Sequence, residues 1–303
     1  MPLVAMSELL KNALKNGYAV GYFEAWNLES LLAVKDAAER TDSPVIIGFN
    51  GGFLDRKHRR VKENVHHYGS LGRSVAEHSP IPMALILNET DDPALLMEGL
   101  RAGFNVIMHD HVGSTFEKSI RINIDLVKAA HAVGAEVEAE LGELPAADIE
   151  RGAVHGGRMT DPAEALRFVE ETGVDALAIA VGNVHMLEGR KSSLDLSLIM
   201  ELRKRVRAPL VLHGGTGLDR EDLKRAIGAG ICKVNVGTLL RRTFINSLAR
   251  YFKENEAERI DPGEVTSIGG ERDMLARARA DVSEQVAGLI ETFGSVSRAG
   301  AIR

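Results

Sequence analysis

The stretch DPAEALRFVEETGVDALAIAVG (residues 161–182) contains a predicted helix followed directly by a predicted strand. The helix begins with an Asp-Pro pair and ends at Gly173, which are common signals for the start and the end of a helix. The strand after it is an almost continuous run of Ala, Val, Leu and Ile, as in parallel strands covered on both faces. This stretch therefore predicts one helix–strand unit of an α/β fold.

The same alternation runs through all 303 residues, with no change of composition and no linker. Eight β-like runs, separated by amphipathic helical patterns, cover residues 18–26, 43–50, 81–88, 104–110, 135–142, 175–182, 208–215 and 231–238. They predict an α/β fold with a single closed (β/α)8 TIM barrel that spans residues 1–303 as one domain. A doubly wound open sheet is the alternative, but it would need fewer strands and would usually carry a Gly-rich dinucleotide turn after the first one.

Two segments fall outside this cycle. Residues 143–160 follow the fifth strand and are too long and Gly-rich for a minimal connection, so we predict a mobile active-site loop there. Residues 269–294 carry a long amphipathic pattern. This pattern predicts a long C-terminal helix, an extension that covers a barrel end or a neighbouring subunit.

The composition narrows the class of protein. The chain is 45% hydrophobic and 26% charged with a formal charge of −6, which argues against nucleic acid or an acidic membrane as a partner. Cys232 is the only cysteine, so an internal disulfide is excluded and a reducing cytoplasm is expected. Because Cys232 lies in an apolar run, we predict a core residue. No segment has the length and hydrophobicity of a membrane span or a signal peptide, which also predicts a cytoplasmic protein.

In barrels of this type catalytic residues lie at the C-terminal ends of the strands. The polar residues at those ends are Glu24, Asn50, Asn88, Glu89, His109, Asp110, His111, Glu140, His185, His213 and Asn235. Alone, each histidine would more often be an ordinary hydrogen-bonded residue. Together, His185 and His213 with Glu89 predict a divalent metal site, because two imidazoles and one carboxylate leave a coordination position open. Zinc is the first choice, with manganese, cobalt and iron as alternatives.

Two Gly- and Thr-containing turns predict a phosphate site. They are HGGTG (213–217) and NVGT (235–238), after the seventh and eighth strands. Loops at these places frequently bind phosphate in this fold, aided by a helix N-terminus. The residues expected to contact the anion are Gly182, Gly214, Gly215, Thr216, Asn235, Gly237 and Thr238. Alternatively, these glycines and threonines only start helices.

A pair of carboxylates and a pair of histidines provide candidate acid–base groups. Glu138 and Glu140 lie on the same side of the fifth strand, where Glu140 can act as an acid or base or as a second metal position. Glu138 could equally be paired with a basic residue. In HDH (109–111) the alternation of a strand sends His109 and His111 to one face and Asp110 to the other.

Six motifs carry a resemblance to a known family: GYAV, SPVII, VEAELG, DPAEALRFVEETGVDALAIAVGNVH, APLVLHGGTG and KVNVGT. In their order and spacing they resemble the class II, metal-dependent ketose-bisphosphate aldolases, which include fructose- and tagatose-bisphosphate aldolases. The resemblance implies a TIM barrel, a homodimer or homotetramer, and cleavage of a phosphorylated ketose into dihydroxyacetone phosphate and an aldehyde. In that family a divalent metal polarises the ketone and stabilises the enediolate. His185 and His213 match two metal ligands, and Glu140 matches a carboxylate at the metal site. The positions that match the dihydroxyacetone phosphate contacts are Gly182, Gly214, Thr216, Asn235 and Thr238.

The chain departs from the family pattern at two strand ends. The family usually reads Asp-His-His or Asp-His-Gly after the third strand, with Asp as the acid–base and the first His on the metal, whereas this chain reads Asn88, Glu89 and Thr90. The usual Phe-Asn after the first strand is Phe23-Glu24. An amide cannot accept a proton, so Glu24, Glu140 or a histidine of residues 109–111 must replace the aspartate if cleavage persists.

Three functions are therefore compatible with the sequence. The first is a metal-dependent aldolase, a lyase of carbohydrate metabolism that acts on a small phosphorylated sugar and keeps the metal and phosphate sites while another base replaces Asn88. The second is a metal-dependent epimerase or isomerase of a sugar phosphate or sugar acid. The third is a non-catalytic accessory subunit of an aldolase. We expect the first.

Overall fold

Eight parallel strands hydrogen-bond in a closed ring in the computed structural model of the chain, which describes residues 3–54, 59–111, 113–142, 146–148, 153–155, 157–183, 194–255, 260–266 and 268–302. The ring consists of β1 (Val20–Ala25), β2 (Val45–Asn50), β3 (Met83–Thr90), β4 (Val106–His109), β5 (Glu136–Leu141), β8 (Ala176–Ile179), β9 (Leu210–Leu212) and β10 (Ile231–Val236). Because β1 pairs with both β2 and β10, the sheet has no edge. The predicted (β/α)8 barrel is confirmed.

Helices surround the barrel. They are α1 (Met6–Asn16), α2 (Leu28–Thr41), α3 (Gly51–Leu54), α4 (Val65–Glu77), α5 (Pro93–Ala102), α6 (Phe116–Ala132), α7 (Pro162–Thr172), α8 (Leu196–Arg205), α9 (Arg220–Ala229), α10 (Thr238–Glu254), α11 (Pro262–Val265) and α12 (Met274–Phe293). Their ends follow the sequence signals. At α7, for example, the Asp161 side chain accepts from the Ala163 and Glu164 N–H groups, and Gly173 adopts φ 70°, the left-handed conformation that ends a helix.

Two apolar layers hold the barrel together. One fills the barrel interior with alternate strand residues such as Ile46, Ile86 and Met108, and it includes Met6 and Leu10 of α1. The N-terminal segment also bonds to strand starts, since the Val4 N–H donates to the Met83 carbonyl (2.9 Å). Helix α1 therefore closes the N-terminal end of the barrel, and the opposite end, the barrel mouth, is left for polar side chains. The second layer lies between the strands and the outer helices.

Two segments show structure that the sequence did not predict. A short antiparallel hairpin, β6 (Ala146–Asp148) with β7 (Ala153–His155), lies within the predicted loop 143–160. Residues 143–145, 149–152 and 156 of this loop are outside the described part of the chain. The mobility of the loop stays a prediction. The C-terminal helix is confirmed as α12, but the expectation that it covers a barrel end was wrong. It packs on the side of the barrel against α2 and α10, with Phe293 stacked on Phe23 of β1 (centroids 6.2 Å apart).

Within the described residues, none of the helices has the length and apolar character that crossing a membrane requires. Cys232 is fully buried in the barrel, as predicted, and burial raises the pKa of its thiol to about 12. The assignment of residues 1–303 to one domain stays a prediction.

Candidate active site

The side chains of Glu89, Glu140 and His213, each at or after the end of a different strand, meet at one place. His213 follows β9 and is 1% exposed. Its Nδ1 atom lies 3.1 Å from Oε2 of Glu140 on β5 and 3.3 Å from Oε1 of Glu89 on β3. Glu140 and Glu89 remain partly exposed, so the group faces the barrel mouth. The structure thus brings together two residues predicted as metal ligands, Glu89 and His213, and one predicted as an acid or base, Glu140.

The backbone of β3 explains how Glu89 reaches this site. Strict alternation would send Asn88 and Glu89 to opposite faces. The pairing of β3 with β4 shifts between Leu87 and Thr90, and Glu89 adopts φ 49°, the left-handed region that side chains other than glycine rarely adopt. Asn50 Nδ2 donates to Glu89 Oε2 (2.8 Å) and fixes the turned carboxylate. Backbone strain of this kind concentrates at functional sites.

A fully buried ion pair holds the other side of the His213 ring. The Nε2 atom lies 3.0 Å from Glu138 Oε1, and the two Glu138 oxygens lie 2.9 and 2.7 Å from Lys233 Nζ. Glu138 and Lys233 are both 0% exposed, and Lys233 also donates to Asn235 Oδ1 (2.7 Å). This confirms the alternative in which Glu138 is paired with a basic residue.

The charges around His213 define its orientation. Burial alone would raise the pKa of Glu138, but Lys233 and His213 together hold it below its ordinary value, so the carboxylate accepts from Nε2–H. The Nδ1 atom then faces the mouth. A histidine that gives one N–H to a carboxylate and presents its other nitrogen to an open site is the usual arrangement of a metal ligand. Burial lowers the pKa of His213, yet the surrounding glutamates raise it well above its ordinary value.

The charge balance of the mouth also favours a cation. The mouth contains four carboxylates and two positively charged side chains, which are linked to one another through hydrogen bonds and ion pairs. The carboxylates are those of Glu24, Glu89, Glu138 and Glu140, and the cations are Lys233 and Arg241. The raised pKa of His213 adds a proton to its ring when no cation is present. With that proton displaced from Nδ1, two negative charges are left on these groups. A divalent cation would neutralise them.

The described residues supply only part of a ligand set. Among them, no group of three or more His, Cys, Asp or Glu side chains is arranged to hold a metal ion. His185, the third predicted ligand, lies outside the described residues. The donor types that converge at His213, one imidazole nitrogen and carboxylate oxygens, nevertheless fit a zinc- or manganese-type ion.

Glu24, predicted as a catalytic group, is 8% exposed and is paired with a cation. Its Oε1 atom accepts from Arg241 Nη2 (2.6 Å) and Nε (3.0 Å). Burial raises the pKa of Glu24 above its ordinary value, although Arg241 and Asn50 act in the opposite direction. Because its carboxylate is held by Arg241, Glu24 is a poor candidate for a free base.

The two histidines of residues 109–111 are adjacent, as the alternation predicted, but they do not join the site. Val106 and Met108 belong to the barrel interior, so His109 points to the outer side. His109 and His111 place their Nδ1 atoms 3.0 Å apart, and Asn123 of α6 lies 2.6 Å from His111 Nε2. Burial and the neighbouring His109 lower the pKa of His111 to about 3. Their position on the outer side of the strand, away from His213, argues against these histidines as the replacement base.

The turns predicted to bind phosphate lie next to each other. The Thr216 hydroxyl accepts from the Leu239 N–H of α10 (3.3 Å), which joins the turn after β9 to the turn after β10. Gly237 begins α10 without a side-chain cap, and Asn235 Nδ2 is buried with no partner among the described residues. Close packing requires glycine at 215, where a Cβ would lie 2.7 Å from Val234 Cγ1. Gly182 and Gly214 adopt φ 99° and 70°, and Thr238 is the first residue of α10.

Sequence reasoning missed Lys233 and Arg241. A lysine inside the apolar run ICKVNVG was the available signal for Lys233, because a charge in a buried strand needs a partner. Arg241 gave no such signal, since it lies in a helix with other basic residues. Asn88, predicted as a catalytic residue, is 2% exposed, and its Oδ1 atom has no hydrogen-bond partner within the described part. Its role stays a prediction.

A (β/α)8 barrel with polar strand ends, a histidine braced by a carboxylate and Gly-rich turns after its last two strands has the architecture expected of an enzyme with its active site at the barrel mouth. The sequence profile described as "Fructose-bisphosphate aldolase class-II" matches residues 4–298. The chain belongs to this family. It is an aldolase, a lyase of carbohydrate metabolism, and the family is generally dependent on a divalent metal.

Known relatives agree with this assignment. The chain is 34% identical to a fructose-bisphosphate aldolase of Thermus caldophilus, over 98% of this chain and all of the relative. The crystal structure of the YdjI aldolase from Escherichia coli K12 is similar with a TM-score of 0.79 and 29% identity, covering 98% of this chain and 99% of that chain. A putative fructose-1,6-bisphosphate aldolase from Coccidioides immitis gives a TM-score of 0.80 and 26% identity, with 97% of each chain covered.

Proposed function

We propose that this protein cleaves or forms a phosphorylated ketose at the barrel mouth, with Glu89, His185 and His213 as metal ligands and Glu140 as the proton-transferring group. The observation that carries the proposal is the approach of Glu89 and Glu140 to Nδ1 of His213. Zinc is the proposed ion, with manganese, cobalt and iron as alternatives. A cytoplasmic location and a homodimer or homotetramer are part of the proposal.

The proposed ligands would hold the ion through the Nδ1 atom of His213 and the Glu89 carboxylate, with His185 as the third donor. When bound, a divalent cation there acts as a Lewis acid that polarises a carbonyl oxygen. The protein fixes its own donors in advance. Asn50 orients Glu89, and Glu138 with Lys233 orients His213.

Proton transfer is assigned to Glu140 by elimination among the carboxylates of the mouth. Asn88 has no ionisable group, Glu24 is held by Arg241, and Glu138 is buried in its ion pair. Glu140 remains partly exposed at the mouth, where it can take the proton of a substrate hydroxyl. The buried Asn88 Oδ1 atom can accept a hydrogen bond from the same substrate, which orients it without moving a proton.

The phosphate of the dihydroxyacetone phosphate half is assigned to the turns after β9 and β10, with Gly182 beside them. The start of α10, where Gly237 provides no side chain as a cap, and the neighbouring turn of residues 214–217 suit an anion, and the helix dipole adds favourable charge. The unpartnered Asn235 Nδ2 is a further donor for a ligand oxygen.

The proposal is tested by measuring release of dihydroxyacetone phosphate from a panel of ketose phosphates and bisphosphates. We expect release that EDTA abolishes, that a divalent metal restores, and that His213→Ala removes. His131→Ala is the matched control, because His131 is an exposed histidine paired with Asp175 far from the mouth, and it should keep full activity. Incorporation of solvent deuterium into a recovered sugar, with no release of dihydroxyacetone phosphate from any member of the panel, would contradict the proposal and favour an isomerase. A protein that binds no metal would favour an accessory subunit.

A further inference from the structure

A chain of hydrogen bonds runs behind the end of β3, on the outer side of the barrel. Its members are Asn123 of α6, His111 after β4, and His109, the last residue of β4. Asn123 is 0% exposed and His109 is 4% exposed, so these polar groups are shielded from water and need partners within the protein. None of the three takes part in the candidate active site. The chain lies beside the turn that carries Glu89.

The protons of this chain are assigned from its hydrogen-bond partners. Asn123 Nδ2 donates to the Ser119 carbonyl (3.0 Å), which fixes the amide with its nitrogen toward Nε2 of His111 (2.6 Å). The Nε2 atom of His111 therefore accepts, and the proton of that ring lies on Nδ1. Burial lowers the pKa of both histidines, so both rings are neutral at pH 7. His111 Nδ1 then donates to His109 Nδ1 (3.0 Å), and the proton of the His109 ring lies on Nε2.

The His109 end of the chain reaches the segment that follows Glu89. The ring of His109 has a hydrogen bond to the backbone of Asp91, the second residue after Glu89. Since Nδ1 accepts from His111, the donor is Nε2–H and the acceptor is the Asp91 carbonyl. One residue earlier, the Thr90 carbonyl accepts from the backbone N–H of Asp110 (2.9 Å). The segment after Glu89 is thus attached to β4 and its end at two successive residues.

Helix α3 contacts the same turn from the other side. A Cβ at Gly52 would lie 2.9 Å from the Glu89 carbonyl oxygen, and a Cβ at Gly51 would lie 2.8 Å from Thr90 Cβ. Glycine at both positions lets the α3 backbone lie directly against the turn. The left-handed backbone of Glu89 (φ 49°) is therefore enclosed between α3 and β4, and such a conformation persists only where its surroundings hold it.

We propose that His109 is a positioning residue for the metal site. By holding the Asp91 carbonyl, it fixes the turn that directs the Glu89 carboxylate toward the barrel mouth. The inference rests on the proposed function, in which Glu89 is a metal ligand. His111 and Asn123 keep the His109 ring in the tautomer that donates to Asp91. Without this bond the turn must be ordered when the ion binds, which costs affinity.

The test is the affinity for zinc, measured on metal-free protein by competition with a chromogenic chelator. His109→Phe keeps a buried ring and removes both hydrogen bonds, and we expect zinc binding to weaken by about 10-fold, the lower end of the range for residues that support metal ligands. His109→Gln places an amide N–H near the position of Nε2 and should recover most of the loss. His131→Ala, at the exposed histidine paired with Asp175, is the control and should bind zinc as the wild type does.

A double-variant cycle tests whether the effect passes through Glu89. In the Glu89→Ala background, where the carboxylate to be positioned is gone, His109→Phe should cause no further loss of zinc affinity. An equal loss with and without the Glu89 side chain overturns the inference, because His109 would then act on the site by another route.

Two further results overturn the inference while the proposed function stands: zinc binding by His109→Phe that equals that of the wild type, and binding by His109→Gln that is as weak as that of His109→Phe. A wild type that binds no zinc overturns the proposed function itself, and this inference with it. If His109→Phe does not fold, His109→Asn is the second variant, because its amide oxygen still accepts from His111 but its short side chain cannot reach Asp91. The same loss of affinity is expected from it, and an unchanged affinity overturns the inference.

Discussion

The buried pair of Glu138 and Lys233 offers the sharpest test of how the site is held together. We expect Glu138→Gln and Lys233→Met each to destabilise the protein strongly, because each leaves one charge without its partner at a place that is 0% exposed. The double variant Glu138→Gln/Lys233→Met removes both charges. It should therefore be more stable than either single variant.

The structure sets the size of the effect. At separations of 2.7 and 2.9 Å, and with an effective dielectric constant of about 20, the attraction is about 6 kcal/mol before the cost of desolvation. Loss of one partner from a buried pair typically costs about 3–5 kcal/mol, while replacement of both is often near neutral. Each single variant should then lose a large share of a total stability of about 5–15 kcal/mol.

The assay is urea unfolding of the wild type, both single variants and the double variant after treatment with EDTA, so that bound metal does not contribute. We expect the double variant to lie within about 2 kcal/mol of the wild type, far from the sum of the two single losses. Additive single losses would refute the reasoning, because they would mean that the two charges do not interact. Glu138→Gln should also weaken metal binding by about 10- to 100-fold, because a carboxylate behind a histidine ligand supports it more strongly than an amide.

Three other perturbations give distinct outcomes. Since the pKa of His111 is lowered to about 3 from an ordinary value of 6.5, the unfolded chain binds more protons below pH 6.5. The free energy of unfolding should therefore fall between pH 6.5 and 4 by up to about 1.4 kcal/mol per pH unit because of this group. In urea unfolding, His111→Gln should reduce this dependence of stability on pH. An unchanged dependence would contradict the buried neutral state. Glu89→Gly should stabilise the metal-free protein by about 1 kcal/mol, because it relieves the left-handed backbone. Glu89→Ala, the control, should not, and equal stability of the two variants would argue against strain. Asn88→Asp should raise cleavage of an ordinary ketose bisphosphate by restoring a carboxylate at this position, and no gain with metal still bound would place the change of mechanism beyond residue 88.

The barrel could be predicted from the sequence because each strand is a continuous apolar run between helices with clear start and stop residues. The placement of polar residues at the C-terminal ends of the strands could also be predicted, because it needs only the order of the strands. His213, Glu140 and Asn235 do lie at these ends. The same reasoning also proposed His109 and His111, but these face the helices. The inward side of β4 is defined by Val106 and Met108, which the sequence alone does not distinguish from their neighbours.

Contacts across the barrel were harder to predict because they depend on the register of strands distant in sequence. Glu138 and Lys233 are 95 residues apart, and their pairing requires the closed ring. The inward turn of Glu89 depends on the shift in pairing between β3 and β4. The residues around Glu89 do not predict this turn, because a left-handed backbone is usually occupied by glycine or asparagine. Similarly, Arg241 reaches Glu24 only because β10 and β1 are neighbours.

The most direct test of the central claim is a crystal soaked in zinc or manganese and measured at the absorption edge of the metal. We predict one strong anomalous peak at the barrel mouth, about 2.0–2.3 Å from Nδ1 of His213 and adjacent to the Glu89 carboxylate, with Glu138 still bound to Nε2. A peak absent from the mouth at saturating metal, or bonded to Nε2 after displacement of Glu138, would contradict it.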